Sequence, residues 1–173
     1  MAEETTDEDI VARVRGGDEG ALAEFVRRFS PQALSYAARM TGDLAAAEDI
    51  GTSALARTVE RLREFEPAAG PFSFFFLPIL MDGVMKHFSS EEKQKPKRPL
   101  VRKLVRPDVR KLYEAFLELE PVYRQVVCLR LLMRLTYAEV AKLAGVPVQT
   151  VTSQMEFALD RMVLSVPTGW ASG

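Results

Sequence analysis

The sequence predicts an all-α fold of two small helical domains joined by a basic linker, the second domain carrying a helix-turn-helix. Three observations predict it. Apolar residues recur every three or four positions in successive segments. Glycine, proline or a small polar cap closes most of those segments. No stretch alternates apolar and polar residues as a half-buried strand would.

In chain order, "GDEGALAEFVRRFS" places Leu22, Phe25, Val26 and Phe29 on one face, with Asp18 as N-cap. "PQALSYAARMTGD" follows as a second helix with Leu34, Ala37 and Ala38, stopping at Gly42. "LAAAEDIGTSALARTVERLREF" is longer and turns Ile50, Ala54, Leu55, Val59 and Leu62 inward. Further on, "DVRKLYEAFLELEP" buries Val109, Leu112, Tyr113, Phe116 and Leu119. "PVYRQVVCLRLLMRL" opens on Pro121 and is apolar enough to run through the middle of a small bundle.

The stretch "YAEVAKLAGVPVQTVTSQME", residues 137–156, has helix-turn-helix spacing. Thr136 caps a short helix whose inner face is Val140, Ala141 and Ala144. Gly145 supplies the left-handed residue that ends it. Val146 plugs the core, Pro147 fits the first turn of the next helix, and Val151, Met155 and Leu159 continue inward. An ordinary helical hairpin is the plainer reading. This stretch holds one Lys, no Arg and two Glu, so it brings little charge to a phosphate backbone.

At 173 residues, 47% hydrophobic and 27% charged, the chain has the make-up of a soluble globular protein of one or two small domains. No apolar run approaches the ~20 residues of a membrane helix, and no signal-peptide pattern opens the chain. A cytoplasmic protein without membrane insertion is therefore expected. The lone Cys128 excludes an internal disulfide and sits among apolar neighbours as a buried, inert thiol. Charge is uneven: net −6 over residues 1–90, +5 over 91–107 and zero over 108–173. The middle stretch, "EEKQKPKRPLVRKLVRP", also has three prolines and reads as a linker between domains 1–90 and 108–173. Its cations suit phosphates or plain solubility equally well.

Two helical domains, a linker and a C-terminal helix-turn-helix resemble the extracytoplasmic-function group of bacterial RNA polymerase sigma factors. The resemblance rests on "DIVARVRGGDEGALAEFVRRF", "MTGDLAAAEDI", "FEPAAGPF" and "LELEPVYRQVVCLRLLMRLTYAEVAKLAGVPVQTVTSQMEFALDRM", in that order. It implies a region-two-like domain at 1–90, binding core polymerase and the −10 element, and a region-four-like domain at 108–173 for the −35 element. Within these, Glu48, Asp49, Ile50 and Thr52 would contact polymerase. Lys86 and, on a recognition helix at about 147–161, Gln149, Thr150, Thr152, Ser153 and Gln154 would contact DNA. RNA polymerase core and promoter DNA are the implied partners, with an anti-sigma factor as a further one. No metal or nucleotide cofactor is implied, because binding energy for extruded bases offsets the cost of unpairing them.

The sequence also departs from that pattern. Thr52 and Ser53 stand where a Gln-Glu pair is usual. In "FSFFFLPILMDGVMKHF", Pro78 and Met81 fall where Arg is common, Asp82 where Asn is common, and Lys86 where Asp is common. Pro78 inside a helix costs about 3 kcal/mol, so a break or a late start near Leu77 is expected. Thr152 and Gln154 replace usual cations. Gln149 and Gln154 can still pair with adenine, and Thr150 or Thr152 can touch a thymine methyl. These departures motivate a second reading, a degenerate sigma-like regulator that binds a protein partner or DNA without melting promoters. An enzyme finds no nucleophile–base pair, metal cluster or phosphate loop, and the single histidine, His87, reads as a surface residue. The run Phe72, Phe74, Phe75 and Phe76 suits base stacking or, more simply, a core. "EETTDED" reads as a solvated, capped start, and Trp170 lies in a terminal tail.

Overall fold

The computed structural model describes residues 5–89, 100 and 106–164. These residues form eight α-helices and no strand. Most of the linker and the tail containing Trp170 lie outside them.

Helix α1 (Asp7–Arg15) begins at a capping box in which the Thr6 hydroxyl accepts from the Asp9 N–H and the Asp9 carboxylate accepts from Thr6. It buries Ile10 and Val11, so the acidic start is a packed element as well as a capped one. Helix α2 (Glu19–Thr41) starts on the expected Asp18 cap and stops at left-handed Gly42. Two helices were expected here. Instead one continuous helix runs through Pro31. Its inner stripe is Ala21, Phe25, Phe29 and Ala33, while Leu22, Val26 and Leu34 stay exposed. The four-residue step back from Phe29 through Phe25 reaches Ala21, and only that narrow stripe is covered in the first half of α2. Further on, Tyr36, the expected Ala37 and Ala38, and Met40 are all buried.

Helix α3 (Leu44–Glu60), capped by Asp43, buries Ala47, Ile50, Ala54 and Leu55, largely as expected. A turn at Leu62–Glu64 and another at Pro67–Ala69 lead into α4 (Phe72–Ser89). The expected break near Leu77 is absent: α4 is continuous from Phe72, with Pro78 inside it. Two features hold the first turn in place. The Phe72 N–H reaches the Glu8 carboxylate at 3.4 Å. Phe72 and Phe76 are fully buried, Phe72 with its ring centre 4.9 Å from Phe29 and 5.3 Å from Phe65. Burying a phenylalanine contributes roughly 1.5–3 kcal/mol, so two of them outweigh the proline penalty.

The second unit begins at Pro107, inside the expected linker, with α5 (Pro107–Glu118). Val109, expected inside, is exposed, Leu112 and Tyr113 are half-buried, and Phe116 and Leu119 are buried. Helix α6 (Pro121–Val127) runs into a π-turn at Cys128–Leu132, closed by the Met133 N–H on the Cys128 carbonyl at 3.1 Å. Cys128 is buried, and burial pushes its thiol pKa up to about 12, which leaves almost no thiolate at neutral pH. Helices α7 (Tyr137–Ala144) and α8 (Val148–Leu164) complete the fold. The two units share one continuous apolar core, reaching from Ile10 through Leu80 to Val151 and Ala158.

Candidate nucleic-acid interface

The helix-turn-helix is built as its residues dictate. Thr136 and Glu139 form a capping box, and the Thr136 N–H and hydroxyl hold the Glu139 carboxylate below its usual range. Gly145 ends α7 at φ 67°, ψ 31°, a conformation that a β-carbon disfavours. Val146 packs against the core as expected. Pro147 sits one residue before α8, and its carbonyl accepts from the Thr150 N–H at 3.0 Å. Val140, Ala141, Val151 and Met155 are buried, but Ala144 and Leu159 are exposed, and Ala158 takes the place expected of Leu159. Two turns of helix are about 7.2 residues, so the seventh residue after Val151 stays closer to the seam than the eighth.

Along α8, Gln149 and Ser153 are exposed, and Thr150, Thr152 and Gln154 are half-buried. Gln149, Thr150, Ser153 and Gln154 line one shallow groove with Tyr123 and Phe157. Thr152 donates its hydroxyl back to the Val148 carbonyl at 3.1 Å, so that donor is engaged within the helix. Lys86 belongs to another surface: it lies on α4, paired with Asp82 at 2.8 Å.

On α3, Glu48, Asp49, Thr52 and Ser53 are exposed along one edge. Ile50 is not part of that edge. It is 9% exposed and faces the seam with α4, beside Gly83. The phenylalanine run divides in the same way. Phe72 and Phe76 are core, and Phe75 packs on Phe65 at 5.6 Å. Phe74 lies under the Lys142 amine of the helix-turn-helix, 5.2 Å from the ring centre.

Sequence reasoning missed the clasp that holds the two units together. Arg124 is 8% exposed, and burial lowers its pKa. It donates to the Met40 carbonyl at the end of α2 and, through Nε, to the Leu119 carbonyl at 3.0 Å. Its guanidinium also lies over the Phe88 ring at 4.9 Å. Tyr113 donates to the Ala38 carbonyl at 3.3 Å, and the Leu100 N–H reaches the Gly42 carbonyl at 2.9 Å. Gly42 is favoured by its φ of 70°, and a β-carbon there would also press on the end of the Leu117 side chain at 2.9 Å. An arginine within an apolar helix was the signal in the sequence that could have revealed the clasp.

An all-α chain with a capped helix-turn-helix on one unit and an acidic, polar helix edge on the other belongs among DNA-binding transcription proteins. Residues 25–94 match the family model for sigma-70 region 2, and residues 110–162 match that for sigma-70, region 4. These matches take in well over half of the chain, which belongs to the sigma-70 family. Region 2 followed directly by region 4 is the make-up of the extracytoplasmic-function group, and the expected membership stands. Among solved structures, CnrH in complex with the cytosolic domain of CnrY is similar at 20% identity and TM-score 0.70, over 91% of this chain and 95% of that one. The sigma factor RpoE of Bartonella quintana, solved with the anti-sigma factor NepR, is similar at 15% identity and TM-score 0.68, over 81% of this chain and 92% of that one. Both likenesses concern the fold. No curated protein sequence matches the chain. Among the described residues, no helix is long and apolar enough to cross a membrane, and no cluster of side chains is arranged to hold a metal ion.

Proposed function

We propose that this sigma factor captures core polymerase through the exposed edge of α3 at Glu48, Asp49 and Thr52. In this reading α4 and the loop before it serve the −10 element, and α8 serves the −35 element. The protein acts in the cytoplasm by binding and not by catalysis, with residues 1–90 and 108–173 as its working units. An anti-sigma factor is proposed as its inhibitor, by analogy with the RpoE–NepR complex. The observation that carries the reading is the helix-turn-helix, whose Gln149 and Ser153 stand open on α8 beside Thr150 and Gln154.

The closed chain must open to do this work. Elements at −10 and −35 lie about 25 base pairs apart, or roughly 85 Å at about 3.4 Å per pair. A compact chain of 173 residues has a radius of gyration of about 16 Å and a width of about 40 Å. Reaching both elements therefore requires release of Arg124 from Met40 and of Lys142 from Phe74. Purified chain mixed with core polymerase is expected to yield run-off transcripts from DNA upstream of its own gene. Capture of polymerase without transcripts would favour the non-melting regulator instead.

The weak charge of α8 gives a second expectation. Thr152→Lys combined with Gln154→Arg should tighten DNA binding and steepen its log–log salt slope by about −2, at roughly −0.9 per phosphate contact. Titration of labelled duplex across a salt series reads this directly. A slope that does not move would show that α8 faces away from DNA.

A further inference from the structure

Arg57, near the end of α3, crosses the seam to α4. Its Nη1 donates to the Asp82 carboxylate at 2.8 Å, and its Nη2 donates to the Ile79 carbonyl at 3.2 Å. The crossing depends on Gly83. A β-carbon there would lie 3.0 Å from Arg57 Nη2 and 3.3 Å from Ile50 Cγ2, crowding the guanidinium's passage. From the other side, Lys86 Nζ reaches the same Asp82 oxygen at 2.8 Å. One carboxylate oxygen therefore collects two cations, and it does so in the open: the side chains of Asp82 and Lys86 are 48% and 69% exposed.

We propose that Arg57 and Lys86 form a binding site for a nucleic-acid phosphate, which the Asp82 carboxylate occupies in the free chain. Carboxylate and phosphodiester oxygens are both anionic acceptors, and Arg and Lys bind either one. Two cations against one carboxylate leave one positive charge in excess, and a phosphodiester can take the carboxylate's place once Asp82 turns aside. The Ile79 carbonyl holds Arg57 on α4 independently of Asp82, so the guanidinium stays aimed when the carboxylate leaves. The more exposed Lys86 is free to follow the anion. Asp82 is tethered beside both cations and competes at high effective concentration, so duplex DNA alone does not displace it and the two contacts stay masked in the free chain. The site rests on the sigma-factor reading, which turns α4 toward promoter DNA, and adds to it a device that masks this surface in the free chain.

The test is Asp82→Asn in the full chain, with labelled duplex DNA of mixed sequence as probe over about 50–200 mM salt. The variant is expected to bind more tightly, with a slope steeper by about −1.8 for two freed contacts, at roughly −0.9 each. Adding Arg57→Gln should remove about half of that gain. Glu60→Gln deletes the same charge from an exposed site on α3 and is expected to leave the slope unchanged. If the triad is only a strut between α3 and α4, Asp82→Asn will lower the melting temperature and leave the slope where it was, which overturns the proposal. A gain that survives Arg57→Gln in full also overturns it. Capture of core polymerase by the same preparations separates the two levels. An unchanged slope with normal capture sinks the phosphate site alone, whereas a steeper slope without capture sinks the polymerase reading and leaves the site standing.

Discussion

Asp49→Arg is expected to abolish capture of core polymerase while leaving the melting temperature essentially unchanged. Asp49 is exposed on the edge of α3 beside Glu48 and Thr52. Two adjacent acids on that edge suit a basic partner surface, and an arginine sets a like charge against it. Opposed like charges at an interface cost several kcal/mol, and every ~1.4 kcal/mol is a tenfold loss of affinity. Weakening of more than about a hundredfold follows, enough to lose a micromolar complex. Exposed substitutions away from caps and cores usually change folding stability by no more than about 0.5 kcal/mol, so a thermal melt controls for damage. Capture is read by co-elution with core polymerase. If the variant binds as wild type does, the α3 edge is not the contact.

Pro78→Ala is expected to stabilise the chain by about 2–3 kcal/mol. Pro78 is exposed on α4, so alanine leaves no cavity. It restores an N–H that can donate to the Phe74 carbonyl, one turn earlier, and relieves the clash of the ring with that turn. Alanine also loosens the unfolded chain, which takes back about 0.4–1 kcal/mol. For a protein of this size each kcal/mol moves the melting temperature by roughly 2–4 °C, so a rise of about 5–10 °C should appear in a thermal scan. No rise would mean that α4 in solution starts after Leu77, as the proline alone suggests.

The helix-turn-helix and most of the helices were legible in the sequence because the signals that make them are local. Thr136 reaches Glu139, Asp18 reaches Ala21, and Gly42 and Gly145 supply left-handed residues where helices end. Such contacts close within one turn, so spacing alone reveals them. The burial of Cys128 was legible for the same reason, as its neighbours along the chain are apolar.

Burial on amphipathic helices was legible only as a stripe and not residue by residue. Leu22, Val26, Val109 and Leu159 are strongly apolar, as Phe25 and Met155 are, yet they remain exposed, because a neighbouring element covers only the strip it meets. Ile50 carried two expectations, inward by its spacing with Ala54 and toward polymerase by the family resemblance. It fills the seam that Gly83 leaves open, as the spacing indicated.

By itself, then, the sequence determined the all-α class, the helix caps, the turn of the helix-turn-helix and the resemblance to its family. Tertiary structure alone decided that α4 runs through its proline, that Arg124 clasps α2, and that Arg57 crosses to Asp82. The physical reason is the same in each case. Aromatic packing around Phe72, the free carbonyl at Met40 and the notch at Gly83 come from segments distant in sequence, and only folding brings them within reach of the residues they control.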